Sequence, residues 1–230
     1  MFRNDYVMRL IEQLSGVLGS IIGLKKQKKP QEAIELVGDT YRRMFGLHPS
    51  IIRKLADRDL VELISRGQEA PSAKVYAVAT LIKEEAELSA MMDNEPDSFR
   101  LYVKALNLLL MTAVDPTAIR LPEADATIDE LLKRLSAYKL PPDTKQWLWE
   151  YDFTDGKYAD GEDILFELLD DASDLEFSQA DREGLLEQAI AYYERLLELD
   201  EATLAAGRLP LDEVQTSLAE LKQRLSASIS

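Results

Sequence analysis

Apolar residues along this 230-residue chain recur every three to four positions and almost nowhere every two. That period lets a helix bury one face, whereas a half-buried strand needs strict alternation. Residues 5–24 show it first, with Val7, Leu10, Ile11, Leu14, Val17, Leu18, Ile21 and Ile22 on one stripe. It returns over about 30–45, 49–55, 57–66, 72–92, 97–114, 126–138, 143–154, 160–173, 180–205 and 210–227. Residues 97–114 are apolar nearly all round, which predicts a helix buried on every side. Hydrophobic residues make up 46% of the chain, too many for a disordered acidic protein. The reading is all-α, with about ten helices.

Terminal residues sharpen the boundaries. Pro30 suits a first helical turn, where its missing N–H costs nothing, and Gly46 suits a helix end. Asp57 and Asp143 read as N-caps. Gly16, Gly19 and Gly23 weaken the first helix, so they predict the close approach of a second helix or a frayed end. One segment is ambiguous. In Trp147-Leu-Trp149-Glu-Tyr151-Asp-Phe153 the aromatics alternate and run into Asp155-Gly156, a β-hairpin signal. The helical flanks favour helix–turn–helix there instead.

Charge is the second constraint. The net is −15, yet residues 1–115 hold 16 basic and 16 acidic side chains, a net of zero. Residues 116–230 hold 11 basic and 26 acidic, which is the whole excess. Within that half, 145–181 carries 2 basic and 12 acidic residues, net −10, while 1–54 carries 10 and 5, net +5. A linker at Pro116–Glu123 coincides with the switch, so two subdomains, 1–115 and 116–230, are expected. An acidic field repels nucleic acid, whose binding needs clustered Lys and Arg. Lys25, Lys26, Lys28 and Lys29 read as a solvated turn between helices.

Several chemistries lack their residues. With no cysteine, disulfides, thiolate zinc sites and cysteine nucleophiles are excluded. His48 is the only imidazole; it precedes Pro49 at a helix start, where a surface or capping role is ordinary. No P-loop, GxGxxG or HExxH is present. The first apolar stretch is broken by Arg9 and Glu12, unlike a signal peptide, and its longest uninterrupted run, Gly16–Leu24, falls short of the ~20 residues of a membrane span. A membrane-surface role for that helix is the lesser reading, because Asp5 and Glu12 dilute its basic face. A cytoplasmic protein without a cofactor is expected.

Residues 189–200, AIAYYERLLELD, resemble the second helix of a tetratricopeptide repeat, with Ala189 followed four residues later by Tyr193. Residues 102–116 (Tyr102, Ala105, Leu109, Ala113, Pro116) and 156–169 (Gly156, Tyr158, Gly161, Leu165) are similar to it, and 31–41 is a fainter likeness through Ala33. In that family a small residue lets two helices approach and the aromatic fills the next gap. The small positions Ala33, Ala105, Gly161 and Ala189 lie 72, 56 and 28 residues apart rather than at the family's 34-residue spacing. The resemblance therefore implies irregular tetratricopeptide-like hairpins, stacked antiparallel as an α-solenoid. The opening MFRNDYVMRLIEQL, and about the first 60 residues with it, resembles an uncharacterised bacterial family of helical proteins of unknown function.

Asp152, Asp155, Asp160, Glu162 and Asp163 raise a cation site, but EF-hand spacing fails and a solvated acidic face is the simpler reading. Beside them stand Trp147, Trp149, Tyr151 and Phe153. Aromatics against carboxylates suit a basic, arginine-containing peptide, through cation–π contacts and ion pairs. The competing reading is a hairpin core, though four large aromatics within seven residues cannot all face inward on one helix. The expected role is a non-enzymatic interaction or scaffold module. Its candidate contacts are Trp147, Trp149, Tyr151, Asp152, Asp155, Asp160, Glu162 and Asp163, its partner a basic protein or peptide. Self-association through the basic N-terminal helix is the alternative, and a carboxylate- or metal-dependent enzyme a third.

Overall fold

The computed structural model describes residues 2–67, 70–174 and 178–228. It is 82% helical without strands among those residues, and ten of its twelve helices have seven or more residues. Two compact units follow one another, Met1–Leu140 and Pro141–Ser230. The boundary is thus not at Pro116, where the charge changes, because the helix after the linker packs back on the first unit. Residues 116–140 hold 4 basic and 4 acidic side chains, so the charge division survives the move. The second unit carries 7 basic against 22 acidic residues, net −15, and the first is neutral.

The first unit comprises α1 (Phe2–Lys26), α2 (Pro30–Thr40), a π-turn over Tyr41–Phe45, α3 (Pro49–Lys54), α4 (Asp57–Ser65), α5 (Pro71–Met91), α6 (Glu95–Ala113) and α7 (Pro122–Leu135). At its centre lies the α5–α6 hairpin. Ala73, Ala77, Ala79 and Ala86 on α5 are buried with Leu101, Leu106, Leu108 and Leu110 on α6. Small against large residues let two helix axes approach without voids. Helices α1, α2 and α4 pack on α5, and α7 on α6.

Helix α1 uses less of its stripe than its period implies. Leu10, Leu14 and Ile21 are buried, whereas Ile22 is 45% exposed. A Cβ added at Gly16, Gly19 or Gly23 would meet nothing within 4 Å, so among the described residues no second helix approaches there. Over Asp5–Lys26 the helix is long and apolar enough to cross a bilayer, with mean hydropathy 1.4. In the fold it lies against α2 and α5. Lys25 leaves the expected solvated turn and pairs with Glu84 and Glu87 of α5 at 2.5 and 2.6 Å.

Asp57 is not a cap. The N-cap is Ala56, with no side-chain bond. Asp57 instead accepts from Lys104 and Asn107 of α6, both at 2.7 Å. His48 does cap α3, its Nδ1 accepting the Ser50 N–H at 3.2 Å.

The second unit holds α8 (Pro142–Thr154), α9 (Tyr158–Asp174), α10 (Gln179–Leu196), α11 (Glu201–Ala206) and α12 (Leu211–Ser228). The aromatic segment is helical: α8 turns at Gly156, whose φ of 73° suits glycine, into α9. Asp143 lies in the first turn after an N-cap of Pro141 and caps nothing. The predicted helix over 180–205 is two. It breaks after Leu196 because Asp200 starts α11 by accepting the Thr203 N–H at 2.8 Å. Ser178 and Asp181 form a reciprocal capping box on α10. The core gathers Trp149, Tyr158, Leu165, Tyr192, Tyr193, Leu196, Leu204 and Val214.

Candidate functional site

Helix α8 places its aromatics on both faces. Trp149 is 1% exposed and meets Tyr192 edge-on at 5.2 Å, and Tyr151 is buried too. Trp147 and Phe153 are half-buried. The Arg195 guanidinium lies 3.8 Å from the Phe153 ring centroid while pairing with Glu150 at 3.2 Å. At about 100° per residue, Phe153 returns to the face of Trp149, while Trp147 and Tyr151 lie on the opposite one.

The predicted acids divide in the same way. Asp152 and Glu162 are buried. Glu162 accepts from the Tyr193 hydroxyl and from Ser217 at 3.2 Å. Burial pushes its carboxyl above the usual glutamate range, and the two hydrogen bonds pull it partly back. Asp155 pairs with Lys157 at 2.8 Å, Asp160 pairs with Arg208, and Asp163 is exposed. Trp149, Tyr151, Asp152 and Glu162 therefore belong to the interior and leave the candidate contact surface. Trp147, Asp155, Asp160 and Asp163 remain on it. Among the described residues, no three His, Asp or Glu side chains are grouped to hold a metal ion.

The spacing of α9 then supplies what the sequence reading missed. Asp163, Glu167 and Asp170 are exposed at i, i+4 and i+7, and Asp160 continues the face one turn earlier. Below it Lys145 of α8, 3% exposed, binds Asp171 at 2.8 Å and Glu167 at 2.9 Å. Burial works to lower the Lys145 pKa, but the bonds to Asp171 and Glu167 outweigh it and hold the group charged. One buried lysine thus neutralises part of the acid on α9 and leaves the outer stripe negative. The α9 pattern was visible as period-four acids, but which face was outward was not.

The small residues singled out in the sequence are buried, and Gly161 sits at a close contact. Ala33, Ala105 and Ala189 are fully buried. A Cβ at Gly161 would lie 3.1 Å from the Tyr192 hydroxyl, which donates to the Tyr158 carbonyl at 3.1 Å.

A second polar cluster lies in the first unit, where α2 gives way to the π-turn. Tyr41, fully buried, donates to Glu85 at 3.2 Å, and Arg53 binds the other oxygen of that carboxylate. Burial raises the Glu85 pKa, with Arg53 and Tyr41 drawing it back. These residues floor an open cleft of about 300 Å³ that Asp39 and Arg42 also line. Every Glu85 oxygen has a partner there, so the cluster is explained as a brace between α2, α3 and α5.

A family model described as a family of unknown function (DUF6483) matches residues 1–226. No curated protein and no solved structure matches the chain.

Proposed function

The chain belongs to this family of unknown function, and from its charge geometry we propose that it is a non-enzymatic protein-interaction module. Its Pro141–Ser230 unit would present the acidic face of α9 to a basic protein segment. The observation that carries this reading is the confinement of the whole −15 to that 90-residue unit, with Asp163, Glu167 and Asp170 aligned outward. Such a field raises the association rate of a basic partner and turns away acidic ones. Trp147 supplies a half-buried aromatic on the neighbouring helix. The absence of cysteine and the use of the single histidine as a cap favour binding over catalysis. The close approach at Gly161 and the full burial of Ala189 support the tetratricopeptide-like reading of the hairpins.

The test is co-purification with the tagged full chain from its native host, eluted by salt, against a variant with Asp163 and Asp170 changed to Lys, which spares Glu167 and its pair with Lys145. The expected result is a basic partner retained at low salt, released at high salt and absent with the variant. A partner held equally by the variant would overturn the proposal. Self-association is the second reading, favoured by the net +5 of residues 1–54. Light scattering showing the same monomer mass at low and high salt excludes it.

A further inference from the structure

In the first unit, α6 and α7 enclose an aromatic cleft that no interaction surface uses. Phe99 and Tyr102 come from α6, Arg134 and Leu135 from α7, Tyr138 from just beyond it, and Ala90 from α5. The Phe99 and Tyr138 rings stand 5.2 Å apart, tilted by 36°, and form one wall. The cleft measures about 140 Å³. That is the share of roughly four or five waters at ~30 Å³ each, enough for one small molecule.

Two groups of its lining are short of partners: an enclosed tyrosine hydroxyl with none, and an arginine with only a long ion pair. Tyr102 is 5% exposed, yet its hydroxyl has no hydrogen-bond partner among the described residues. A buried hydroxyl left unpaired is costly and rare. Arg134 lies over the Tyr102 ring, 5.5 Å from its centroid. Its carboxylate contact, Glu87, is 3.5 Å away, the outer limit of a bond, and Lys25 already holds Glu87 at 2.6 Å. The other nearby acids are also taken: Glu84 by Lys25 at 2.5 Å and Glu130 by Lys83 at 2.7 Å. Lys25, Lys83 and Arg134 thus balance Glu84, Glu87 and Glu130, and Arg134 is the cation without a close ion pair among them. Glu95, also in the lining, accepts from the Tyr138 hydroxyl at 3.5 Å.

We infer that this cleft binds a small free organic carboxylate with a flat apolar body. Arg134 pairs with the carboxylate, the Tyr102 hydroxyl donates the second bond, and the body lies against Phe99, Leu135 and Tyr138. Guanidinium and carboxylate match as planar partners. Burial, with Glu87 and Glu130 adding to it, pushes the Tyr102 hydroxyl up to about 12, against a weaker pull from Arg134. It therefore remains a donor throughout the neutral range. A cationic ligand is disfavoured, since Arg134 already occupies the cation position on the Tyr102 ring.

The experiment is an amide NMR titration of the full chain at pH 7 with phenylacetate, phenylacetamide and benzylamine, each into the millimolar range. Phenylacetate is expected to shift amides confined to α6, α7 and the end of α5, with phenylacetamide at least tenfold weaker. Arg134→Gln should weaken phenylacetate by ten- to a hundredfold, and Tyr102→Phe by about three- to tenfold. Both variants should fold: Arg134 is half exposed and Tyr102→Phe keeps the ring, which thermal melts will verify. No phenylacetate shifts, equal binding of the amide, preference for benzylamine, or unchanged affinity in Arg134→Gln would each overturn the inference. Unchanged affinity in Tyr102→Phe would do so as well, leaving the hydroxyl to a bridging water. Because the cleft lies in the first unit, these outcomes are independent of the α9 surface.

Discussion

Two glycines of the second unit look alike in sequence and should respond oppositely to the same substitution. A Cβ at Gly207 would lie 2.7 Å from the Gly156 carbonyl oxygen and 2.9 Å from Cε2 of Tyr158. The Gly207 carbonyl also accepts the Ala159 N–H at 3.0 Å, so the two chain segments are pinned together. A backbone oxygen cannot rotate away as a side chain can. Overpacking of this kind costs about 1–3 kcal/mol, and loosening the pinned hydrogen bond adds about 1 kcal/mol. Gly207→Ala should therefore destabilise the unit by about 2–4 kcal/mol. A Cβ at Gly184, inside α10, would meet nothing within 4 Å. There alanine gains helix propensity, about 1 kcal/mol in the stabilising direction. Urea unfolding followed by tryptophan fluorescence reads this unit alone, because Trp147 and Trp149 both stand in α8. The Gly207→Ala midpoint should fall by about 1–2 M, and that of Gly184→Ala should rise by a few tenths. If Gly207→Ala unfolds at the parent's midpoint or above it, the packing of Gly207 on the Gly156–Tyr158 turn is wrong.

Three further outcomes follow from single interactions. Lys145→Ala breaks the ion pair with Asp171, itself 5% exposed, and should cost about 3–5 kcal/mol. A double variant, Lys145→Met with Asp171→Leu, should recover much of that in the same fluorescence assay. Asp57→Asn should lower the thermal midpoint measured by circular dichroism, because Lys104 and Asn107 are bound to a carboxylate; a mere N-cap would tolerate asparagine. Glu162 has a raised folded pKa, so the native state holds its proton to higher pH than the unfolded chain does. Its contribution therefore favours folding at low pH and is lost as pH rises above about 4.5, the ordinary value. The stability of Glu162→Gln relative to the parent should improve between pH 4 and pH 7. A pH-independent difference would contradict the burial of that carboxyl.

Much of the fold could be read directly. The three-to-four spacing gives the helices, and the all-round apolar 97–114 becomes the buried α6. Proline positions proved sound starts, as at Pro30 and Pro49. Caps were less legible. Asp57 and Asp143 satisfy the local rule for a cap, but the N-cap lies one residue earlier for Asp57 and two for Asp143. For Asp57, Lys104 from a distant helix then claims the carboxylate. The candidate site was legible as a place and not as a surface. The window 145–181 does hold the acid and the aromatics, yet Trp149, Tyr151, Asp152 and Glu162 turn inward, Trp147 stays half-buried and Asp163 turns outward. Period alone fixes angles between side chains, and nothing in it says which angle meets the core.

The sequence by itself determined the helical class, the lack of thiol chemistry and the confinement of charge to the C-terminal part. These depend on periodicity and counting, which tertiary contacts cannot change. Only the tertiary structure decided that α7 belongs to the first unit, that Lys145 goes inside to meet Asp171, and that Arg134 is left over an aromatic cleft. Each of those depends on which distant helix lies within a few ångströms. A charge or a hydroxyl is paired or orphaned by that neighbour, whatever its place in the chain.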